Sequence, residues 1–186
     1  VVAYHPRVRR GILFLVKLPK NGRQAVVLVG IASMITGWIS WGLGLIFGAI
    51  LVREMGKHAE TTGIKIHYPL LAVAGYMGMS LTWGWGLSSS AGLLQATENN
   101  ALIQLGFLDR VIPATEWVFH SYPLTLTGLS IVYGSLMLYL LCPPDENCRQ
   151  ISRYVDVTKD AAIDETDKNV VLDNPTLADR IDNSLL

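Results

Sequence analysis

Three long stretches without a charged side chain dominate the pattern of hydrophobic and polar positions. They run over residues 25–52, 68–97 and 121–144. Each exceeds the roughly 18 apolar residues that mark a membrane-spanning helix, whereas helices of soluble proteins seldom exceed about 20 residues. The pattern therefore predicts an all-α integral membrane protein.

The first two stretches are interrupted near their middles, where glycine stands next to tryptophan. Residues 25–52 contain Trp41-Gly42-Leu43-Gly44, and one unbroken helix over this stretch would extend about 42 Å, beyond the roughly 30 Å hydrocarbon core. Residues 68–97 contain Trp83-Gly84-Trp85-Gly86 and then three serines. Because unwound backbone at membrane depth must line a cavity or be buried in protein, we expect a functional break in each stretch.

The third stretch is regular, and a polar region follows it. A plain transmembrane helix is predicted over 122–142, ended by Pro143-Pro144. The predicted organisation is a membrane domain over 1–144 and a polar, acidic cytoplasmic connector over 145–186. Because the sequence starts with Val1, we also expect a fragment of a longer polypeptide.

The positions of Lys and Arg favour one topology for these stretches. Six lie in 1–24, three in 53–67, one in 98–120 and three in 143–160. Three complete crossings would place seven on one side and six on the other, which is no bias. A re-entrant hairpin over 25–52 places twelve together against one, and this asymmetry is typical of a cytoplasmic face.

The positive-inside rule therefore predicts a hairpin over 25–52 with its tip near Trp41–Gly44. Making residues 68–97 the hairpin instead gives a weaker asymmetry, nine against four. We thus expect a broken transmembrane helix over 68–97. Two interruptions near mid-membrane are typical of a transporter binding site, and the amino termini of half-helices favour an anionic ligand such as a carboxylate.

Other chemistries find little support in the sequence. The basic flank over 1–24 lacks the interleaved aromatic residues of nucleic-acid binders, so no nucleic-acid partner is expected. Cys142 and Cys148 are too few for a metal site or a disulfide framework. We predict no metal, no catalytic residue and no cofactor other than a coupling ion, H⁺ or Na⁺.

At the two breaks the sequence resembles the short-chain fatty acid transporter family, over about residues 6–144. The motifs that carry this resemblance are Trp41-Gly42-Leu43-Gly44-Leu45-Ile46 with Arg53-Glu54, then Tyr68-Pro69-Leu70-Leu71, Thr82-Trp83-Gly84, Gly86-Leu87-Ser88 with Ser90, Leu93-Leu94, Ala96-Thr97 and Ile112-Pro113. The chain departs from the family pattern at Ser40 (usually Asn), Trp85 and Ser89 (Gly), Gly92 (Pro) and Glu98-Asn99 (Pro-Gly). Bulk at Trp85 is expected to narrow the cavity.

The resemblance implies uptake of short monocarboxylates such as acetoacetate or butyrate by symport across the cell inner (cytoplasmic) membrane. It implies a multi-pass, inverted-repeat fold, of which this chain is the later part of the first repeat. The implied partners are a short-chain carboxylate anion, the lipid bilayer, the second half of the same transporter and, as an option, another copy in a homo-oligomer. It implies a transporter rather than an enzyme.

The candidate site residues lie at the two breaks. Serines offer donors to a carboxylate, glycines let backbone approach it, and tryptophans offer an apolar wall. The predicted substrate-binding set is Ser40, Trp41, Gly42, Gly44, Trp83, Gly84, Gly86, Ser88 and Ser90. Thr97 and Asn100 are predicted to bind an ion or to cap a helix.

Two functions from other classes stay open at this point. In a scaffold subunit, the glycines and aromatic residues would only pack helices. A membrane-embedded acyl-transferring enzyme would use His120 or a serine, although no nucleophile and base stand at a recognisable spacing.

Overall fold

The computed structural model describes residues 6–98 and 100–155, with only the backbone of 6–9. These residues are helical and contain no strand, as the sequence predicts, and the remainder of the predicted connector lies outside them. The helices are α1 Pro6–Lys17, α2 Gly22–Ile39, α3 Trp41–Thr62, α4 Tyr68–Met77, α5 Ser90–Gln95, α6 Ala101–Gln104, α7 Ala114–Val118 and α8 Ser121–Leu141. A π-helical turn covers Gly78–Thr82, and 3₁₀ turns cover Trp83–Trp85, Asp145–Asn147 and Ile151–Arg153.

Helices α2 and α3 form an antiparallel hairpin that turns at Ser40. This residue is extended, with φ −155° and ψ 128°, and helix resumes at Trp41, so the turn lies just before the predicted tip. Near the turn the two backbones are close, because a Cβ added to Gly44 would lie 2.7 Å from Gly37 Cα. Helix α3 continues beyond the predicted end at residue 52, since no helix breaker occurs before Gly63, whose φ is 75°.

Helix α4 runs alongside α2 and continues at its carboxyl end into the π-helical turn. The Ser33 hydroxyl donates to Gly75 O at 2.7 Å and accepts the Gly78 N–H at 3.1 Å. The Thr82 hydroxyl donates to Met34 O at 2.6 Å. These hydroxyls bind backbone groups where the helix widens into the π turn, a feature that often accompanies function.

Helix α8 packs antiparallel to α2. The Leu138 side chain fills the space beside Gly30, and a Cβ added to Gly134 would lie 3.1 Å from Met34 Sδ. By length and composition, α2 and α8 are each able to cross a membrane. The re-entrant placement of the hairpin stays a prediction.

The ends of several helices meet at one end of the bundle, called the base below. There the Arg23 guanidinium carbon lies 5.4 Å from the Tyr139 ring centroid. Residues 149–154, called the strap, pack against the α3–α4 turn: Tyr68 N–H donates to Arg149 O at 2.8 Å, and Ile151 is only 2% exposed. The base therefore gathers the basic segments around residues 23, 53–67 and 149–153 at one end of the fold.

Candidate functional site

The two interrupted segments meet at the end of the bundle opposite the base. We call residues 38–43 and 83–90 the crossing point. Leu87 N–H donates to Trp38 O at 2.8 Å, and Trp41 N–H donates to Ser88 Oγ at 2.9 Å. A Cβ on Gly86 would collide with Trp38 O, so glycine permits this backbone approach. The unwound segment 83–90 thus forms hydrogen bonds with backbone groups at the turn between α2 and α3.

The start of α3 presents backbone donors at the crossing point. The first N–H groups of a helix have no acceptor within it, and the Ser40 side chain makes no capping bond. Of the first three, the Trp41 N–H reaches Ser88, whereas those of Gly42 and Leu43 lack an intrahelical acceptor. A Cβ added to Gly42 meets nothing within 4 Å. The side of Gly42 where a Cβ would stand is therefore open, and the positive end of the 22-residue α3 dipole lies at this turn.

Ser88 is held in place by both segments. Its Oγ accepts the Trp41 N–H, and its carbonyl accepts the Trp83 indole N–H at 2.9 Å. A hydroxyl that accepts a hydrogen bond still has its own proton to donate. Ser88 is therefore oriented as a further donor.

The other predicted binding residues divide into packing and exposed positions. Gly44 is buried against Gly37, and Gly86 against Trp38. Gly84 is exposed with nothing within 4 Å of an added Cβ, and Trp41 is 49% exposed. Ser90 is exposed at the first position of α5.

The two residues predicted to bind an ion or cap a helix make local bonds. The Asn100 side chain accepts the N–H groups of Leu102 and Ile103 at 2.9 and 3.1 Å, which caps α6. The Thr97 hydroxyl donates to Leu93 O at 2.9 Å. Asn100 and Thr97 therefore lie outside the crossing point, and their side chains bind backbone groups of nearby residues. Ser89, 2% exposed, is the amino-terminal cap of α5.

An aromatic group that sequence reasoning missed packs over the crossing point. We call Trp117, Phe119 and Tyr122 the aromatic cover. Phe119 lies edge-on to Trp38 with centroids 6.1 Å apart, and Trp85 lies 6.4 Å from both Trp117 and Tyr122. These contacts join residues too distant along the chain to leave a local pattern.

Charged groups are absent from residues 38–43 and 83–90, so partial charges dominate there. An exposed ion pair joins α7 to the loop before it: Arg110 Nη2 lies 2.6 Å from Glu116 Oε1. The Arg110 hydrogen bond lowers the pKa of Glu116. His120 Nδ1 accepts the Tyr122 N–H at 3.4 Å, so this candidate acyl-transfer base serves as the amino-terminal cap of α8.

Comparisons with known proteins agree with one another. A Haemophilus influenzae protein named "Putative short-chain fatty acid transporter" is 27% identical over 98% of this chain and 40% of its own length. An Escherichia coli K12 protein of the same name is 32% identical over 67% of this chain and 26% of its own length. The chain thus spans less than half of either relative.

No solved structure matches the chain. The family described as "Short chain fatty acid transporter" matches residues 1–186. The apolar helices α2 and α8 accord with that description. The chain belongs to the short-chain fatty acid transporter family.

Proposed function

We propose that the protein carries short-chain monocarboxylates across the inner membrane as an ion-coupled secondary transporter, with the crossing point as part of its carboxylate site. The observation that carries this proposal is the meeting of two helix breaks, through the Leu87–Trp38 and Trp41–Ser88 hydrogen bonds. Discontinuous helices form the substrate sites of many secondary transporters. Family membership supports the same substrate class.

Backbone and hydroxyl donors account for the preference for an anion. The carboxylate accepts hydrogen bonds from the N–H groups of Gly42 and Leu43 and from the Ser88 hydroxyl. A hydrogen bond to a charged group contributes about 1.5–3 kcal/mol, more than the roughly 0.3–1 kcal/mol of a helix dipole alone. Donor geometry therefore outweighs the dipole. Trp41 and Trp83 flank these donors and provide apolar surface for a short acyl chain.

The depth of the hairpin supports a re-entrant placement. Gly30 pairs with Leu138 and Met34 with Gly134, so the antiparallel register brings the Ser40 turn level with about residue 128 of α8. That level is about two helical turns, or roughly 10 Å, short of the start of α8. In a bilayer spanned by α8, the crossing point would lie within the membrane.

The remaining features of the proposal follow from charge and length. The base carries the basic segments and therefore faces the cytoplasm. The rest of the polypeptide supplies a second, inverted repeat that completes the site, with H⁺ or Na⁺ as the coupling ion. The bilayer and the carboxylate are the other partners, and a homo-oligomer is compatible with this arrangement.

Reconstitution of the complete protein that carries these residues tests the proposal. Proteoliposomes should accumulate labelled butyrate or acetoacetate under an inward H⁺ or Na⁺ gradient. The Ser88→Ala variant should bind butyrate roughly 10-fold more weakly, because a donor to a charged group is lost.

Ser152→Ala is the matched control, since Ser152 is exposed in the strap, far from the crossing point. Its uptake and affinity should equal those of the wild type. If the wild-type protein neither accumulates a monocarboxylate nor is stabilised by one, the proposal is wrong and a scaffold role is favoured.

A further inference from the structure

Two indole N–H groups beside the crossing point have no acceptor. Among the residues that the structure describes, Trp38 Nε1 and Trp117 Nε1 are buried and make no hydrogen bond. An indole N–H is a donor only, and membrane interior offers no water to replace an acceptor. An unpaired buried donor carries a desolvation cost, so the two near the crossing point require an explanation.

Both indoles are placed by the same short segment of the aromatic cover. Trp38 lies two residues before the Ser40 turn, and its ring meets Phe119 edge-on at 6.1 Å. Trp117, two residues before Phe119, packs on Trp85 at 6.4 Å. Residues 117–119 therefore bring the two rings to the same side of the crossing point.

Glycine at position 92 lets Trp117 approach. A Cβ on Gly92 would collide with Trp117 Nε1, so the indole nitrogen lies directly on the first turn of α5. The Gly92 N–H is directed to the Ser89 cap, and no acceptor there faces the indole. Packing against Gly92 thus fixes the position of the Trp117 indole N–H but supplies no acceptor for it.

The neighbouring tryptophan shows the contrast. Trp83 Nε1 donates to Ser88 O at 2.9 Å, so its N–H group is used within the fold. Trp38 Nε1 and Trp117 Nε1 make no such bond. Because an indole N–H donates and cannot coordinate a cation, a ligand that pairs with it must offer a hydrogen-bond acceptor, such as a carboxylate oxygen.

We infer that Trp38 and Trp117 contact the bound substrate, and that their indole N–H groups donate to oxygen atoms of the monocarboxylate. This inference rests on the proposed function and adds two side-chain donors to the backbone donors of α3. The aromatic cover then has two roles: it excludes water from the carboxylate and selects an anion over a neutral molecule of the same shape.

An isosteric replacement tests the inference in the complete protein. Benzothienylalanine at position 38 or 117 replaces the indole N–H by sulfur and keeps the shape of the ring. Each replacement should weaken butyrate binding roughly 10-fold or more, the loss expected for a donor to a charged group. Trp38→Phe and Trp117→Phe, which also remove an indole N–H, should weaken butyrate binding by a similar factor. Ser152→Ala in the strap is the control, because its exposed side chain lies at the base, away from both indoles.

A spectroscopic measurement separates ligand contact from packing. With ¹⁵N-labelled tryptophan, butyrate should shift the indole N–H signals of Trp38 and Trp117 in the wild-type protein. Wild-type affinity in both isosteric variants, with unshifted signals, would overturn the inference and assign the acceptors to backbone elsewhere in the protein. The proposed function would survive that result if Ser88→Ala still weakened binding. Absence of any monocarboxylate binding by the wild type would defeat both.

Discussion

The base and the crossing point differ in what their glycine residues contact. At the base and along the hairpin, a Cβ on Gly48 would collide with Gly75 O, and one on Gly56 would lie 3.0 Å from both Ile151 and Tyr68. At the crossing point, Gly86 likewise lets backbone approach Trp38 O, but a Cβ on Gly42 or Gly84 meets nothing within 4 Å. Glycine thus brings backbone segments together in both regions, and at the crossing point two glycines also leave backbone open.

Polar groups divide between the two regions in the same way. Near the base, backbone and side-chain donors find acceptors within the fold, as in the Arg149 N–H bond to His67 Nδ1 at 3.4 Å. At the crossing point, the Trp38 indole N–H is buried without an acceptor, and that of Trp117 lies nearby in the aromatic cover; on α8, the buried Thr127 and Ser135 hydroxyls also lack a partner. With the proposed function, this comparison predicts that stability is concentrated at the base and ligand binding at the crossing point. Each prediction below tests that division.

The largest expected effect comes from adding one methyl group to each kind of glycine. Gly48→Ala places a Cβ against the Gly75 carbonyl, where backbone must shift, and should lower the free energy of unfolding by about 3 kcal/mol. Gly42→Ala makes the same chemical change in open space and should alter it by less than about 0.5 kcal/mol. Denaturant unfolding of the complete protein in detergent measures both. Equal losses in the two variants would contradict the division.

Removal of the strap anchor should produce the next largest effect. Ile151 is 2% exposed, and Ile151→Ala leaves a cavity against α3 and α4 that should cost about 2–3 kcal/mol. The butyrate affinity should stay unchanged, because the strap lies at the base. The exposed neighbour in Ser152→Ala provides the control. A large loss of affinity in Ile151→Ala would show that the base and the crossing point are coupled.

The hydroxyl between α2 and the π turn should matter less. Ser33→Ala removes a bond to Gly75 O and leaves the Gly78 N–H without its side-chain acceptor, which should cost about 1–2 kcal/mol. Ser80→Ala, at an exposed position in the same turn, should be neutral. Thermal unfolding of both variants checks this expectation, and a neutral Ser33→Ala would show that the π turn does not depend on the hydroxyl.

Loss of the exposed Arg110–Glu116 ion pair should have the smallest effect on stability. The Arg110 hydrogen bond lowers the pKa of Glu116 in the folded protein, so its stabilisation is present above the ordinary pKa of Glu and is lost as the pH falls through the lowered value. The difference in melting temperature between wild type and Glu116→Gln should be small at neutral pH, because both groups are exposed. It should disappear in acid. A difference that grows in acid would contradict this sign.

Much of the fold follows from local sequence, and the exceptions have physical causes. The glycine and serine run after Thr82 predicts the second break, and Pro143-Pro144 predict the end of α8. The length of α3 was underestimated because residues 53–62 are polar, and polarity ends a membrane segment without ending a helix. The hairpin turn at Ser40 rather than at the following glycines reflects the tight Gly37–Gly44 contact, which requires both arms.

The site is only partly predictable for a related reason. Ser88 and Gly42 stand out because their residue types are unusual within apolar segments. Trp38 and Trp117 do not stand out, because an aromatic residue is ordinary in an apolar or interfacial stretch. Only the three-dimensional structure shows that their indole N–H groups lack an acceptor. Asn is a preferred residue at a helix amino-terminal cap, and the cap that Asn100 forms on α6 is one of its two predicted roles; ion binding by Asn100 stays a prediction.

By itself the sequence determined the long charge-free stretches, the places where helix cannot continue and the resemblance to the family, because length, charge and glycine content act locally on the backbone. Only the tertiary structure decided that the two breaks meet, which glycines face backbone and which face open space, and that the aromatic cover packs on Trp38 and Trp85. Those outcomes depend on the packing of helices far apart along the chain, where each contact is set by the relative position of two elements rather than by the residues of either one.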